Sequence, residues 1–461
     1  MFRPPPHASR VPVPKATWTP ARLMLLAYVA AILIGAAVLM LPVCAEQKPI
    51  GLLDSLFTAT SAVCVTGLVV LDTPAAFTRT GHWVILALIQ LGGLGILGFA
   101  TWILMLGGRR PGGLQQGAAG ISYGSARGVP IGRILVYVFL VTLVFETLGW
   151  MAFYHAWRGE MGRPEAAFQA LFHTVSAFCN AGFTTLPGGS MVPYAAHWGV
   201  GLTTAVLVIA GGLGFIILAE LGTVLSRRRR PSLHTRIALW MTLILLAGGT
   251  AALLLLEWNG ALGQLPWHGR PLAAFFQSMT ARTAGFNTVE IGALTAPSLI
   301  IIILLMIVGA SPGSTGGGIK VTTLAILLAL VRSQAYERRG VDWGGRSIRG
   351  NDVARALAIA SLYMLTLFVG LTLLLLIQGP GLTPHGQQAM FLPLLFEAAS
   401  ALGTVGLSLD WTTGQLHAGS KVVVMGLMLC GRLGPIVIFL SFIGRPAPRR
   451  FEYPEEPVMT G

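Results

Sequence analysis

The sequence predicts an all-α polytopic membrane protein made of four copies of one unit, with eight transmembrane spans in all. Each copy is a span, a short helix, an extended glycine-bearing turn and a second span. Three observations carry this. The 461 residues are 54% hydrophobic and only 10% charged, with a mean hydropathy of +0.73, whereas a soluble domain carries roughly 25% charged residues. Eight apolar runs are long enough to cross a bilayer, and four more are too short. The four short runs share a sequence pattern.

Residues 1–21 include Pro4, Pro5, Pro6, Pro12, Pro14 and Pro20 and read as a disordered leader. The spans fall at about Leu23–Leu41, Trp83–Leu106, Ile134–Trp157, Trp198–Leu225, Ile237–Leu256, Pro297–Val331, Ala356–Ile377 and Val422–Ile443. A helix needs about 20 apolar residues to cross a hydrocarbon core, and the first run is too long for a signal-peptide core. The short segments are Ile50–Ala62, Ala166–Phe178, Pro271–Ala281 and Ala389–Leu402. At about 11–14 residues they suit re-entrant helices. The repeats then occupy 22–108, 134–226, 237–331 and 356–444, joined by loops 109–133, 227–236 and 332–355 and followed by a tail, 445–461.

The short segments end in Ser61-Ala-Val-Cys-Val-Thr-Gly67, Ser176-Ala-Phe-Cys-Asn-Ala-Gly182, Met279-Thr-Ala-Arg-Thr-Ala-Gly285 and Ser400-Ala-Leu-Gly-Thr-Val-Gly406. A second landmark follows three of them in near-constant register: Gly92-Gly-Leu-Gly, Gly211-Gly-Leu-Gly and Gly431-Arg-Leu-Gly. Two landmarks in register predict a fourfold internal repeat.

Charge sets the orientation. The leader with the adjoining Arg22, the three joining loops and the tail together hold 22 of the 31 Lys and Arg. By the positive-inside rule that side is cytoplasmic, and both termini lie there. Arg282, Lys320 and Arg432 fall at membrane depth. The net charge of +14 therefore expresses topology and does not argue for nucleic-acid binding.

Non-helical backbone is tolerated inside a bilayer only where protein buries it or it lines a watery cavity. Four short helices entering from outside, each followed by exposed carbonyls, predict a ring around one central ion pore that replaces an ion's hydration shell. Helix-packing glycines are the plainer explanation of any single match, but four in register favour the ring. The stretch Ser311–Gly318 interrupts the sixth apolar run; Pro312, Gly313, Gly316, Gly317 and Gly318 should unwind it at mid-membrane, and Ser311, Ser314 and Thr315 supply hydroxyls for the freed backbone. An ionised Arg432 at that depth needs a cavity or a partner.

On these residues the sequence resembles the Trk/Ktr/HKT superfamily of cation transporters, most closely the bacterial Ktr-type membrane subunit. The specific pieces are the four glycine turns, Gly309-Ala-Ser-Pro-Gly-Ser-Thr-Gly-Gly-Gly-Ile-Lys320 and Gly431-Arg-Leu-Gly-Pro435, and the similarity runs from about Arg22 to Arg445. The resemblance implies a selectivity filter at Thr66, Gly67, Ala181, Gly182, Ala284, Gly285, Val405 and Gly406, with K+ at the glycine carbonyls. It implies an intramembrane gating loop at 309–320, with Ser311–Gly318, Lys320 and Arg432 as gate residues. Glycine at all four filter positions goes with K+ preference in that family, and Gly67 is intact. The resemblance also implies K+ uptake with possible Na+ dependence, a homodimer, and an RCK-type nucleotide-binding regulatory partner (a KtrA-like octameric ring on the cytoplasmic side). No nucleotide is expected on this chain itself; the surroundings expected are the lipids of the cell inner membrane.

Arg282 and Glu397 lie close to the third and fourth turns and are expected to pair, or to bond backbone carbonyls, behind the filter. Glu220 is assigned to the cytoplasmic interface and Glu146 only to a buried polar site. Gly93-Leu-Gly-Ile-Leu-Gly98 satisfies G-x-G-x-x-G but follows no strand, so it is no nucleotide fingerprint. Four scattered cysteines and dispersed histidines, His173 among them, form no metal spacing. Two other classes stay open: a Na+- or H+-coupled secondary transporter with re-entrant hairpins, and a membrane-embedded enzyme.

Overall fold

A computed structural model describes residues 19–96, 98–101, 131–227, 230–338, 340–409 and 416–443. The leader, most of loop 109–133, the end of the second span and the tail lie outside the described residues.

Helix α1 (Pro20–Leu39) starts where Thr19 Oγ1 accepts from Arg22 N at 3.3 Å, with Pro20 in the first turn. Short α2 (Leu52–Cys64), one-turn α3 (Thr73–Ala76) and α4 (Arg79–Gly93) follow. Next come α5 (Ile131–Trp157), α6 (Arg163–Phe178), α7 (Trp198–Leu213) and α8 (Phe215–Arg227). The third quarter holds α9 (Leu233–Glu257), α10 (Arg270–Thr280), α11 (Ala296–Ile307) and α12 (Val321–Ala335). A two-residue hairpin, β1 (Asp342–Trp343) with β2 (Arg346–Ser347), precedes α13 (Gly350–Gln378), α14 (Pro384–Gly403), α15 (Ala418–Leu433) and α16 (Pro435–Ile443).

Among the described residues α1, α5, α9 and α13 are long and apolar enough to cross a membrane, and counting the bent pairs α7–α8 and α15–α16 as single spans gives up to six. The long helices turn Leu33, Leu143, Leu365 and Leu376 outward, each more than half exposed. A bilayer would cover those faces.

Two expected spans are not continuous. Trp198–Leu225 bends by 100° between α7 and α8, and Val422–Ile443 by 98° between α15 and α16. The cause is local: Gly214 (φ 89°) and Gly434 (φ 86°) sit at the breaks, in backbone conformations that side chains disfavour. The run Pro297–Val331 is interrupted as expected, α11 and α12 flanking 308–320. The fourth short segment, in contrast, is 20 residues long, because Thr383 caps α14 early and Pro384 fits its first turn.

The short helices form the interior. Ala59 and Ala62 on α2, Ala170 and Ala177 on α6, Ala273 and Ala274 on α10, and Ala398 and Ala399 on α14 are all fully buried. Small residues matter here because lipid gives helices no hydrophobic reason to associate, so close packing has to hold them. Near the first turns of α4 and α6 Arg79 pairs with Glu165 and stacks 3.9 Å over Phe168. Lys421 on α15 pairs with Asp54 on α2 at 2.7 Å.

Candidate ion pathway

Each short helix ends in a turn of the same shape. The residue two before each glycine is left-handed: Val65 (φ 56°), Asn180 (φ 60°), Thr283 (φ 69°) and Thr404 (φ 50°). The glycines follow at φ 91°, 70°, 82° and 95° for Gly67, Gly182, Gly285 and Gly406. The intervening residue is tied back to its helix: Thr66 N donates to Ser61 O (2.8 Å), Ala181 N to Ser176 O (2.7 Å), Ala284 N to Thr280 O (3.0 Å) and Val405 N to Ser400 O (2.8 Å). Hydroxyls complete the turns. Gly67 N donates to Ser61 Oγ at 3.0 Å and Gly406 N to Ser400 Oγ at 3.1 Å, while Ser176 Oγ donates to Phe183 O at 2.7 Å and Thr280 Oγ1 to Phe286 O at 2.8 Å.

The four turns meet in a closed ring. A Cβ on Gly67 would stand within 3 Å of Ala181 O, one on Gly182 within 3 Å of Ala284 O, one on Gly285 within 3 Å of Val405 O, and one on Gly406 within 3 Å of Thr66 O. The order round the ring is the order along the chain. Eight of the residues expected to form a filter are thus brought together, and nothing larger than hydrogen fits on the glycines.

A cavity of about 290 Å³ opens on one side of the ring, lined by all four glycines and by Asp72, Thr184, Asn287 and Ser408. Burial pushes the Asp72 carboxyl above the usual aspartate range.

Loop 309–320 lies on the opposite side. Its ends pair through Gly309 N to Ile319 O (3.0 Å) and Ile319 N to Ile307 O (3.0 Å). Ser311 N donates to Gly212 O (2.9 Å), Thr315 N to Gly211 O (3.2 Å) and Phe215 N to Gly313 O (3.1 Å), which ties the loop to the α7–α8 break. Thr315 Oγ1 reaches Phe178 O at the end of α6 at 3.3 Å. Gly316 and Gly317 press on the Thr283 and Thr404 hydroxyls with no room for a Cβ. Ser314 Oγ donates to Ser311 O at 2.6 Å, and Lys320 Nζ to Gly316 O at 2.6 Å. Arg432 clamps the loop from α15: its guanidinium donates to Thr315 O and to Gly92 O and Gly93 O on α4. A second cavity of about 290 Å³ lies here, lined by Pro312, Gly316, Gly318, Lys320, Arg432, Tyr28 and Tyr363.

The expected direct pair of Arg282 with Glu397 is not formed. Arg282 donates to Gly309 O (3.3 Å) and Thr242 O (3.5 Å), while Glu397 accepts from Leu409 N (3.0 Å) and from the Ser408 hydroxyl. The two side chains serve different turns, and backbone groups reach each of them first. Glu220 joins α8 to the start of α9 by accepting from Ser232 and Thr235. Glu146 faces Gln90, whose Oε1 accepts from the Cys179 thiol at 3.6 Å.

Sequence reasoning missed what the second landmark does. Gly92, Gly211 and Gly431 press on Val63 O, Phe178 O and Leu402 O, the carbonyls four residues before the ring glycines. The landmark's last glycine has positive φ in all three copies, at Gly95 (80°), Gly214 (89°) and Gly434 (86°). The matched spacing to each turn was the available signal. His173 also went unassigned: its ring bonds Gln169 O and Thr184 Oγ1, both at 2.8 Å, and braces the second turn.

A buried ring of close-packed turns under which an arginine pins a broken helix defines a membrane transport protein rather than an enzyme. The family model described as TrkH, cation transport protein, matches residues 21–453, and the chain belongs to that family. It is 37% identical over 453 residues to Ktr system potassium uptake protein B of Vibrio alginolyticus, covering 97% of this chain and 96% of that protein. It is 34% identical to the Ktr system potassium uptake protein B of Bacillus subtilis, covering 96% and 97%. With the potassium/sodium uptake protein NtpJ of Enterococcus hirae it shares 31% identity over 96% and 97%. The crystal structure of the potassium transporter TrkH from Vibrio parahaemolyticus matches with a TM-score of 0.72 at 19% identity, over 94% of this chain and 87% of that one, a likeness of fold.

Proposed function

We propose that this chain is the ion-translocating membrane subunit of a potassium uptake system, and that the ring of Gly67, Gly182, Gly285 and Gly406 is its selectivity filter. The carrying observation is the closed ring of four like-shaped turns. Carbonyls of Thr66, Ala181, Ala284, Val405 and the four glycines coordinate K+ stripped of water. The eight-span, pseudo-fourfold reading extends the same observation to the whole repeat. Loop 309–320 is the gate, and Arg432 both clamps it and raises the barrier for K+ while it is closed. Arg282 braces the third turn against the loop, and Glu397 braces the fourth.

The membrane potential supplies roughly 2.3 kcal/mol per charge per 100 mV, enough to drive uptake into an inside-negative cell without a nucleotide on this chain. The Vibrio alginolyticus and Bacillus subtilis relatives are each named potassium uptake protein B of a Ktr system, which supports a regulatory partner, read as a cytoplasmic nucleotide-binding ring beneath a homodimer. The potassium/sodium name of the Enterococcus relative supports a role for Na+.

The test is Rb+, K+ and Na+ flux into liposomes holding the purified chain, at an imposed inside-negative potential. Uptake should favour K+ and Rb+ and vanish in Gly285→Ser and Gly406→Ser, each of which adds a Cβ within 3 Å of a backbone carbonyl. Undiminished uptake in both folded variants would remove the filter assignment. Flux that stops when a Na+ or H+ gradient is collapsed would favour a coupled secondary transporter instead.

A further inference from the structure

Three consecutive carbonyls of the loop, those of Thr315, Gly316 and Gly317, are each held by a side-chain cation. Arg432 takes the first. Lys320 Nζ takes the other two, at 2.6 and 3.2 Å. Nothing about the position favours a cation otherwise. Lys320 stands immediately before Val321, the first residue of α12, at the end of the helix where the dipole is positive and cations are disfavoured. The Arg432 guanidinium is near enough to repel it. The two ion pairs among the described residues, Arg79–Glu165 and Lys421–Asp54, involve neither. The Lys320 ammonium is therefore held at membrane depth by backbone dipoles.

Backbone carbonyls that hold a bare monovalent cation are the chemistry that replaces the hydration shell of K+, and a primary ammonium is close to K+ in size and equal to it in charge. We infer that the carbonyls of Gly316 and Gly317 form an inner K+ site on the gating loop, and that the Lys320 ammonium is its tethered occupant when the gate is closed. The inference rests on reading 309–320 as the gate. K+ that has left the ring meets these carbonyls next, because Gly316 and Gly317 pack against Thr283 and Thr404 of the third and fourth turns. Exchange then leaves the charge at the carbonyl pair itself unchanged. As K+ binds, the ammonium swings on its flexible four-carbon stem toward the cavity lined by Tyr28, Tyr363 and Arg432, and as K+ leaves it returns. The carbonyl pair faces one positive charge at every stage.

The experiment uses the full purified chain. Wild type must first show the Rb+ flux that the filter reading requires; its absence would count against that reading and not against this one. Lys320→Met keeps length and removes the charge. It should bind one more Tl+ or Rb+ per chain at equilibrium than wild type. Its flux without a regulatory partner should rise roughly ten- to hundredfold, the population change produced by losing hydrogen bonds to a charged group. Lys320→Arg should match wild type in both. If Lys320→Met elutes as misfolded protein, Lys320→Gln takes its place with the same expectations. An unchanged ion count in the folded neutral variant overturns the site, even where flux rises, since Lys320 would then act only as a barrier.

Discussion

At the scale of single residues, the mouth of the proposed pathway carries one acid, the exposed Asp72, on the cavity that the four glycines line. Burial holds its carboxyl above the ordinary aspartate range. It therefore takes up a proton sooner than an ordinary aspartate as the pH at the mouth falls, and the mouth loses a negative charge. The KM for Rb+ should rise severalfold as the pH falls from neutral into the carboxylate range, on the scale of one charge acting through partly screened solvent. Asp72→Asn should flatten that profile and raise KM at neutral pH. Parallel profiles for the two proteins would exclude Asp72 as the titrating group. The ring glycines were legible from spacing alone, because hydrogen is the only substituent that the ring admits. Their left-handed neighbours were not. Val65, Thr283 and Thr404 are β-branched, a class for which positive φ is unusual, and tertiary closure of the ring imposes it against local preference. The charges of Arg282 and Glu397 were equally plain in the sequence, but their partners are backbone groups whose position only the folded turns supply.

At the scale of elements, the two bends isolate backbone strain from steric contact. Gly214 and Gly434 have nearly the same φ. A Cβ on Gly434 would meet nothing within 4 Å, whereas one on Gly214 would strike Pro312 O at 2.8 Å and Gly313 O at 3.1 Å. Gly434→Ala should therefore cost only the strain, roughly 1–3 kcal/mol, read as a lower unfolding temperature in detergent with uptake retained. Gly214→Ala should cost more and should also alter gating, because it pushes on the loop. Equal losses in the two variants would mean that the loop yields freely at Gly214. Apolar run lengths made the short helices and the broken sixth run legible. They hid the bends at Gly214 and Gly434, since a hydropathy run carries no record of a single residue's φ. The extra length of α14 was hidden too: its first turn is polar, so only the Thr383 cap marks it.

At the scale of the whole molecule, the charge pattern makes a claim about sidedness that the packing alone does not. Removing most Lys and Arg to one face leaves the mouth near Asp72 slightly acidic, and a mouth of that sign raises the local concentration of arriving cations. The claim can be read from labelling. Gly159 lies just beyond α5, where a side chain would meet nothing within 4 Å, and Ser347 is exposed on the β1–β2 hairpin. Positive-inside orientation puts Gly159 outside and Ser347 in the cytoplasm. In intact cells a membrane-impermeant maleimide should modify Gly159→Cys and spare Ser347→Cys until the cells are permeabilised. Of the native cysteines Cys44, Cys64 and Cys179 are buried, and labelling of the partly exposed Cys430 is read as background in the parent protein. The reverse pattern would invert the chain, put the four short helices on the cytoplasmic side and turn the proposed uptake mouth into an exit. It would leave the ring geometry intact, so sidedness and filter stand or fall by separate measurements.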